Sequence, residues 1–231
     1  MSWGFAFVLS LVVASAQQPA PTQSPDELQR VLSRLDQAAA DFRAVQAAFV
    51  WDQYQKVVDQ HDLQKGMIYF RRVGNEVQMF ADISDPAPPK YVLFTDSKVE
   101  VYRPKIDEVT RFNTGKDRAA FESFLVLGFG GSGRDMVKSF DVKYIRQEKV
   151  DGIDTAKLEL APKSDKVRGI FDHIWLWIDP VRGVSIQQQL FEPSGDYRLA
   201  KYSDIQSHQK IPDSVFKLKT TGKTKVVSPQ G

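Results

Sequence analysis

The sequence contains no cysteine among its 231 residues. No disulfide can therefore stabilise the fold, and we expect a chain without a cysteine-linked lipid anchor. Histidine is scarce as well, with three residues far apart along the chain, and their spacing predicts no metal site. Lysine plus arginine (31) nearly balances aspartate plus glutamate (29), and the net charge of +2 predicts no strong field that would attract nucleic acid.

The chain begins with one short apolar run. Residues 5–13 are predominantly apolar, and Ala14-Ser15-Ala16 has the small-residue pattern that signal peptidase cleaves. The run is shorter than the ~20 apolar residues that a bilayer-spanning helix needs. We therefore expect residues 1–16 to be a signal peptide, residues 17–24 a polar spacer and residues 25–231 a single domain.

A helix start is present at Ser24-Pro25-Asp26-Glu27, where Ser24 can cap, Pro25 takes the first helical position and Glu27 completes a capping box. Apolar residues then recur three, four and seven positions apart as far as Phe49. This spacing predicts one amphipathic helix of about six turns with an apolar stripe that packs on another element.

Most of the remaining chain has the apolar period of two that is typical of strands. Short apolar runs are separated by turn residues, from residue 47 to 112 and again from residue 142 to 219, where the predicted strands include residues 170–178 and 215–219. We count about 10 or 11 strands, and their succession without intervening helices favours an antiparallel meander over a crossover α/β fold. The expected fold is therefore mainly β with helices (α+β).

A helical interruption separates the two groups of strands. Residues 116–127 and residues 132–140 are expected to form two short helices, joined by a glycine-rich hinge that contains Gly128, Gly130 and Gly131. This stretch also satisfies G-x-G-x-x-G, but a helix precedes it where a dinucleotide site would need a strand. We interpret it as a flexible helical hairpin.

Aromatic residues are abundant, with 15 Phe, 7 Tyr and 4 Trp. Trp175 and Trp177 lie two positions apart and should share one face of a strand, while Ile174, Leu176 and Ile178 take the other face. Two interpretations remain open: a central strand covered on both faces, or a curved sheet whose concave face lines a ligand cavity.

The stretch from Gly66 onward resembles the LolA family, the periplasmic carriers of outer-membrane lipoproteins. The resemblance rests on the preceding helix, on the segment Phe42–Phe49 that follows it, and on a succession of short strand and turn motifs. These motifs are Gly66, Met67–Arg72, Pro86, Thr95–Lys98, Val101–Pro104 and Asp107–Thr110. The sequence departs from the family pattern at Arg72-Val73 and Asp96-Ser97, where the family has Arg-Pro and Asp-Gly.

The resemblance implies an open, incomplete antiparallel β-barrel with an N-terminal helix and a helical-hairpin lid over a hydrophobic cavity. It assigns to Arg72 the role of holding the lid closed by hydrogen bonds to lid carbonyls. Candidate cavity residues are Met79, Phe94, Phe124, Leu125, Leu127, Phe129, Met136, Trp175 and Trp177.

The function that the resemblance implies is transport of lipoproteins through the periplasm to the outer membrane. Expected partners are acylated lipoproteins or lipids, an inner-membrane transporter that releases them and an outer-membrane acceptor, with no nucleic acid and no cofactor. We expect a monomer. A lipid- or lipoprotein-sensing adaptor is an alternative function, and an exported hydrolase is a third, although no enzyme signature is present in the sequence.

Overall fold

A computed structural model describes residues 25–74, 76–95, 98–113, 127–207 and 210–229. Within them lie three α-helices: α1 (Pro25–Asp41), α2 (Gly133–Ser139) and α3 (Asp165–Arg168). The strands are β1 (Ala44–Gln55), β2 (Gln60–Val73), β3 (Glu76–Asp85), β4 (Lys90–Thr95), β5 (Lys98–Arg103), β6 (Glu108–Asn113), β7 (Phe140–Val150), β8 (Ile153–Pro162), β9 (His173–Asp179), β10 (Val184–Phe191), β11 (Tyr197–Ser207) and β12 (Lys225–Val227). Two 3₁₀ turns occupy Pro104–Ile106 and Asp213–Phe216.

One sheet contains all twelve of these strands, in the order β12-β6-β5-β4-β3-β2-β1-β11-β10-β9-β8-β7. Every neighbouring pair is antiparallel except β12 and β6, which are parallel. The sheet does not close among the described residues, since β12 and β7 form its two edges. The predicted open, incomplete β-barrel is confirmed, with one strand more than the upper prediction.

The long helix α1 begins at Pro25, as predicted, but it ends at Asp41, well before Phe49. Phe49 instead lies in β1, which pairs with β2 on one side and β11 on the other. Phe42 and Phe49 are seven positions apart, a spacing that fits a helical stripe, so the apolar pattern alone extended the predicted helix too far. The paired neighbours satisfy the backbone of this segment as a strand, and the prediction of a six-turn helix was wrong.

The helix α2 confirms the second half of the predicted hairpin. Its N-cap is Ser132, whose hydroxyl accepts a hydrogen bond from the backbone N–H of Asp135 at 3.0 Å. The first half of the hairpin, over residues 116–126, lies outside the described residues. Near the end of the chain, the predicted strand over residues 215–219 is wrong, because Asp213–Phe216 form a 3₁₀ turn instead.

The helices α1 and α2 cover one end of the sheet. Val31 and Leu35 from α1 and Met136 from α2 pack with Leu158 of β8 and Leu176 of β9 in a buried cluster. The remainder of this face is formed by β1 to β5, β10 and β11. It is the part of the sheet that holds the candidate site.

Candidate functional site

An apolar concave surface runs across the middle of the sheet. The strand register places Trp51 opposite Ala200, Phe70 opposite Met79 and Met79 opposite Phe94. Since successive side chains of a strand point to opposite faces, these residues share one face with every second residue of their strands. The concave face is therefore formed by the alternate apolar residues that give the sequence its period of two.

A cavity of about 530 Å³ lies against this surface. Its volume falls within the range of roughly 300–1,000 Å³ that is typical of small-molecule sites. Its lining is mainly apolar and comes from both halves of the sheet and from the segment after β8: Trp51, Ile68, Phe70, Met79, Val92, Val99, Ser164, Lys166, Val167, Ile170, Phe171, Gln188, Leu190, Arg198, Ala200 and Tyr202. Such a cavity can take up an apolar chain.

The segment of residues 164–171, which we call the cover segment, contributes to the lining of the cavity from outside the strands. It contains α3 and contributes Val167, Ile170 and Phe171 to the lining. Val167 is buried, whereas Ile170 is 52% exposed. The backbone N–H of Phe171 donates to the carbonyl of Val167 at 2.8 Å, which keeps the segment turned back on itself.

The cover segment was not predicted, and a strand was expected to begin at Ile170. The strand β9 begins only at His173. A helical signal is nevertheless present in the sequence, because Val167, Ile170 and Phe171 have the spacing i, i+3, i+4 that puts three apolar side chains on one side of a helical turn.

A second segment, residues 127–131, lies across the sheet; we call it the latch segment. Three of its carbonyls accept hydrogen bonds from the sheet. The backbone N–H of Ser185 donates to Gly128 at 2.9 Å, the Arg72 guanidinium donates to Gly130 at 2.8 Å, and the Gln188 side-chain amide donates to Leu127. The Arg72 contact is the kind that the family resemblance implies.

Phe129 anchors the latch segment in the apolar core. Its ring stacks on Phe70 with a centroid distance of 5.3 Å, and meets the edge of Tyr202 at 4.8 Å. The Tyr202 hydroxyl donates to the side-chain amide oxygen of Gln188 at 3.4 Å, and burial raises the pKa of this hydroxyl above its usual value of 10. Gln188 therefore links the tyrosine to the latch segment.

Two of the predicted hinge glycines have backbone conformations that favour glycine. Gly128 has a φ of +78° and Gly130 a φ of +82°, and a β-carbon at either position would collide with a neighbour. That neighbour is the Ser185 side chain for Gly128 and the Phe42 ring for Gly130. These glycines therefore allow the latch segment to approach the sheet closely. Gly131 lies next in the same segment, and its role as a hinge stays a prediction.

The structure brings some of the predicted cavity residues together and separates others. Met79, Phe94 and Phe129 belong to the same buried cluster, and Met79 also lines the cavity. Leu127 and Met136 are buried in the other cluster, beneath α1. The predicted candidates Phe124 and Leu125 lie outside the described residues.

Trp175 and Trp177 lie on the other face of the sheet from the cavity lining. The register pairs Leu176, which lies between them, with Gln188 of the cavity. The ammonium group of Lys157 lies 3.5 Å from the ring centroid of Trp175 and 4.5 Å from that of Trp177. The structure thus supports the interpretation in which β9 is covered on both faces, and it does not bring these two tryptophans to the cavity.

No helix in the described part of the chain is both long and apolar enough to cross a membrane. Among the same residues, no group of three or more histidine, aspartate or glutamate side chains could hold a metal ion.

No protein-family model matches the chain, and no curated protein matches its sequence. Among solved structures, MucB matches over 87% of this chain with 14% identity and a TM-score of 0.54, and the chain spans 66% of that protein's length. MucB has also been solved in complex with MucA(peri).

Two further solved structures match over most of both chains. An uncharacterised conserved protein from Thermus thermophilus matches over 88% of this chain and 99% of its own, with 10% identity and a TM-score of 0.54. The LolA superfamily protein NE2245 from Nitrosomonas europaea matches over 83% and 97%, with 16% identity and a TM-score of 0.42. At these identities the similarity to MucB and to the Thermus protein is one of fold alone.

Proposed function

We propose that this protein is a periplasmic carrier that binds the acyl chains of lipoproteins or lipids in its cavity and carries them to the outer membrane. The observation that carries the proposal is the apolar cavity of about 530 Å³, which lies between the concave face of the sheet and the cover segment. The signal-peptide pattern at residues 1–16 supports export, and the family resemblance supports the outer membrane as the destination.

The physical chemistry of acyl chains explains why such a carrier needs a cavity that opens. A triacylated protein has about 45 methylenes, each worth ~0.8 kcal/mol on transfer out of water. Their sum exceeds the ~20 kcal/mol at which non-covalent affinities saturate, so the chains must pass directly from one apolar site to another. The partners are then an inner-membrane transporter that releases the lipoprotein and an outer-membrane acceptor.

The latch segment supports the opening step of this proposal. Hydrogen bonds from Arg72, Ser185 and Gln188 hold it. Leu127 anchors one end of it in the cluster beneath α1, and Phe129 anchors its middle by stacking on Phe70. An acyl chain that displaces Phe129 from Phe70 would replace one apolar contact with another, so the exchange costs little. In this proposal Arg72 is the gate, because opening of the latch segment breaks its bond to Gly130.

A single substitution at the cavity tests the proposal. Ile170→Glu places a charge on a side chain that lines the cavity and is already 52% exposed, so the fold should tolerate it. The matched control is Ile106→Glu, at a residue that is 59% exposed and does not line the cavity. We expect Ile170→Glu to weaken binding of hexadecanoic acid at least tenfold, as measured by isothermal titration calorimetry, and Ile106→Glu to leave it unchanged.

Binding that is equal in the two variants would show that the chain does not enter this cavity. A delivery assay then tests the transport step, in which the loaded protein is mixed with acceptor vesicles and the transfer of a radiolabelled lipoprotein is followed. A protein that binds the lipoprotein but never releases it would favour the second function, a sensing adaptor. The match to MucB, which has been solved with MucA(peri), is the observation that favours this second function.

A further inference from the structure

A second hollow adjoins the apolar cavity at one end of the concave face. Its volume is about 360 Å³, and it shares Trp51, Val92 and Arg198 with the apolar cavity. Unlike the cavity, it is lined mostly by polar and charged side chains: Gln53, Asp62, Gln64, Lys90, Arg103 and Arg198. We call it the polar hollow.

The strand register explains why the polar residues gather there. Along β11 the concave face carries Tyr202, Ala200 and then Arg198, and along the neighbouring β1 it carries Trp51 and then Gln53, which pairs with Arg198. Both strands therefore change from apolar to polar at the same end.

The strands β4 and β5, on the other side of the hollow, show the same change. On β4 the face carries Phe94, Val92 and then Lys90, and on β5 it carries Val101 and then Arg103. The pairing of Val92 with Val101 places Lys90 and Arg103 at the same end of the face. The concave face is thus amphipathic along its length.

The charge of the polar hollow is mainly positive. Lys90, Arg103 and Arg198 contribute three cations against the single carboxylate of Asp62, which accepts a hydrogen bond from the Gln64 amide at 2.7 Å. None of the three cations forms an ion pair with another described residue, although Arg103 donates to the Thr110 hydroxyl at 2.9 Å. Elsewhere on the described sheet, cations such as Arg111 and Arg146 have carboxylate partners within 3 Å.

We propose that the polar hollow binds the anionic head group, a carboxylate or a phosphate, of an acyl ligand whose chain occupies the apolar cavity. The inference rests on the proposed function, because it takes the cavity to be the acyl site and adds the chemistry of the adjoining group. Guanidinium groups suit this role, since they donate paired hydrogen bonds to carboxylate and phosphate oxygens. Arg198 lines both the apolar cavity and the polar hollow, so it marks the point where the acyl chain joins its head group.

The test compares ligands that differ only in the head group. Hexadecyl phosphate, 1-hexadecanol and inorganic phosphate are titrated separately into the delipidated protein, and their dissociation constants are measured by calorimetry. We expect hexadecyl phosphate to bind about tenfold more tightly than 1-hexadecanol. Added salt should weaken binding of the phosphate ester and leave that of the alcohol unchanged, because salt screens exposed charges.

A pair of double variants locates the effect. Lys90→Gln with Arg103→Gln removes two cations that line the polar hollow but not the apolar cavity, and should abolish the preference for hexadecyl phosphate without changing the affinity for 1-hexadecanol. Arg146→Gln with Lys149→Gln removes the same charge from β7, where both side chains have carboxylate partners, and should keep the preference.

The possible failures are distinguishable. Equal affinities for the ester and the alcohol in the unmodified protein would overturn the head-group inference and leave the acyl cavity standing. Inorganic phosphate that binds as tightly as the ester, and whose binding is lost in the Lys90→Gln, Arg103→Gln variant, would overturn it in favour of a site for free anions. Failure of both hexadecyl ligands to bind would overturn the proposed function itself.

Discussion

The Arg72 guanidinium donates a hydrogen bond of 2.8 Å to the carbonyl oxygen of Gly130, which lies 58 positions further along the chain. The donor stands near the end of β2 and the acceptor in the latch segment, so the bond joins the sheet to a segment that is not itself a strand. The neighbouring Arg71 makes different contacts, with Gln78 and Asp213. The two adjacent arginines therefore hold separate parts of the chain.

The first prediction concerns Arg72→Gln. A hydrogen bond to a charged donor that is exposed to solvent contributes about 1 kcal/mol, so its loss should speed opening of the latch segment about fivefold. Hydrogen exchange of the backbone amides of residues 127–131, followed by mass spectrometry, measures this opening. In the control Arg71→Gln, exchange should rise near residues 213–216 and stay unchanged in the latch segment. Equal exchange of the latch segment in Arg72→Gln and the unmodified protein would contradict the assignment.

The second prediction concerns Gly130→Ala. An alanine at a φ of +82° is strained by about 1–2 kcal/mol, and its β-carbon would lie 2.5 Å from the Phe42 ring. Gly74→Ala is the matched control, because Gly74 has a φ of +59° but nothing within 4 Å of the added carbon. We expect Gly130→Ala to lower the free energy of unfolding in urea by about 1–2 kcal/mol more than Gly74→Ala does. Equal losses would mean that Phe42 moves aside freely.

How far the sequence predicts this architecture depends on the range of the interactions involved. Strands with alternating burial, such as β3 with Val77, Met79, Ala81 and Ile83 on one buried face, are visible because the period of two is local. The cap of α2 by Ser132 is local as well. The boundary between α1 and β1 was missed because the apolar pattern there fits both elements and the pairing with β2 and β11 decides between them.

The site was less predictable than the fold, since it depends on which face of each strand is concave. Alternation places Trp175 and Trp177 on one face of β9 but does not say which face that is. The register with β10 is needed to show that they lie on the face of the sheet away from the cavity. A hydrogen bond from Arg72 to a lid carbonyl was expected only from the family resemblance, and the sequence did not predict that Gly130 accepts it. The change from the apolar Val92 to the charged Lys90 is visible in the sequence. Only the register with neighbouring strands shows that this change occurs at the same end of the concave face on several strands.

The third prediction is a pH dependence at the end of the chain. The Asp107 carboxylate accepts hydrogen bonds of 2.6 Å from the hydroxyls of Thr221 and Thr224, and these bonds lower its pKa below the usual 3.8. A carboxyl whose pKa is lower in the folded state stabilises that state above pH 3.8, and the contribution is lost as the pH falls through the folded pKa. We expect β12 to detach from β6 in this acid range, while the rest of the sheet stays paired.

Nuclear magnetic resonance of the Val226 amide as a function of pH measures this detachment. The variant Asp107→Asn tests the cause: Asn tolerates the φ of 45° at this position but carries no charge. It should show a loosened β12 at neutral pH and no further change on acidification. Asp154→Asn, at an exposed carboxylate paired with Lys149, is the control and should titrate as the unmodified protein does. Detachment of β12 with the same midpoint in Asp107→Asn would contradict the assignment to Asp107.

The fourth prediction uses tryptophan fluorescence to locate the bound chain. Trp51 lines the cavity and packs against Phe49 with a centroid distance of 4.2 Å, whereas Trp175 lies on the opposite face beside Lys157. Quenching by bromine requires near contact, so dibromostearic acid bound in the cavity should quench Trp51 and spare Trp175. The variant Trp51→Phe should then lose most of the quenching, and Trp175→Phe should keep it. The reverse result would place the acyl chain on the outer face of β9, where the two tryptophans and Lys157 would become the site.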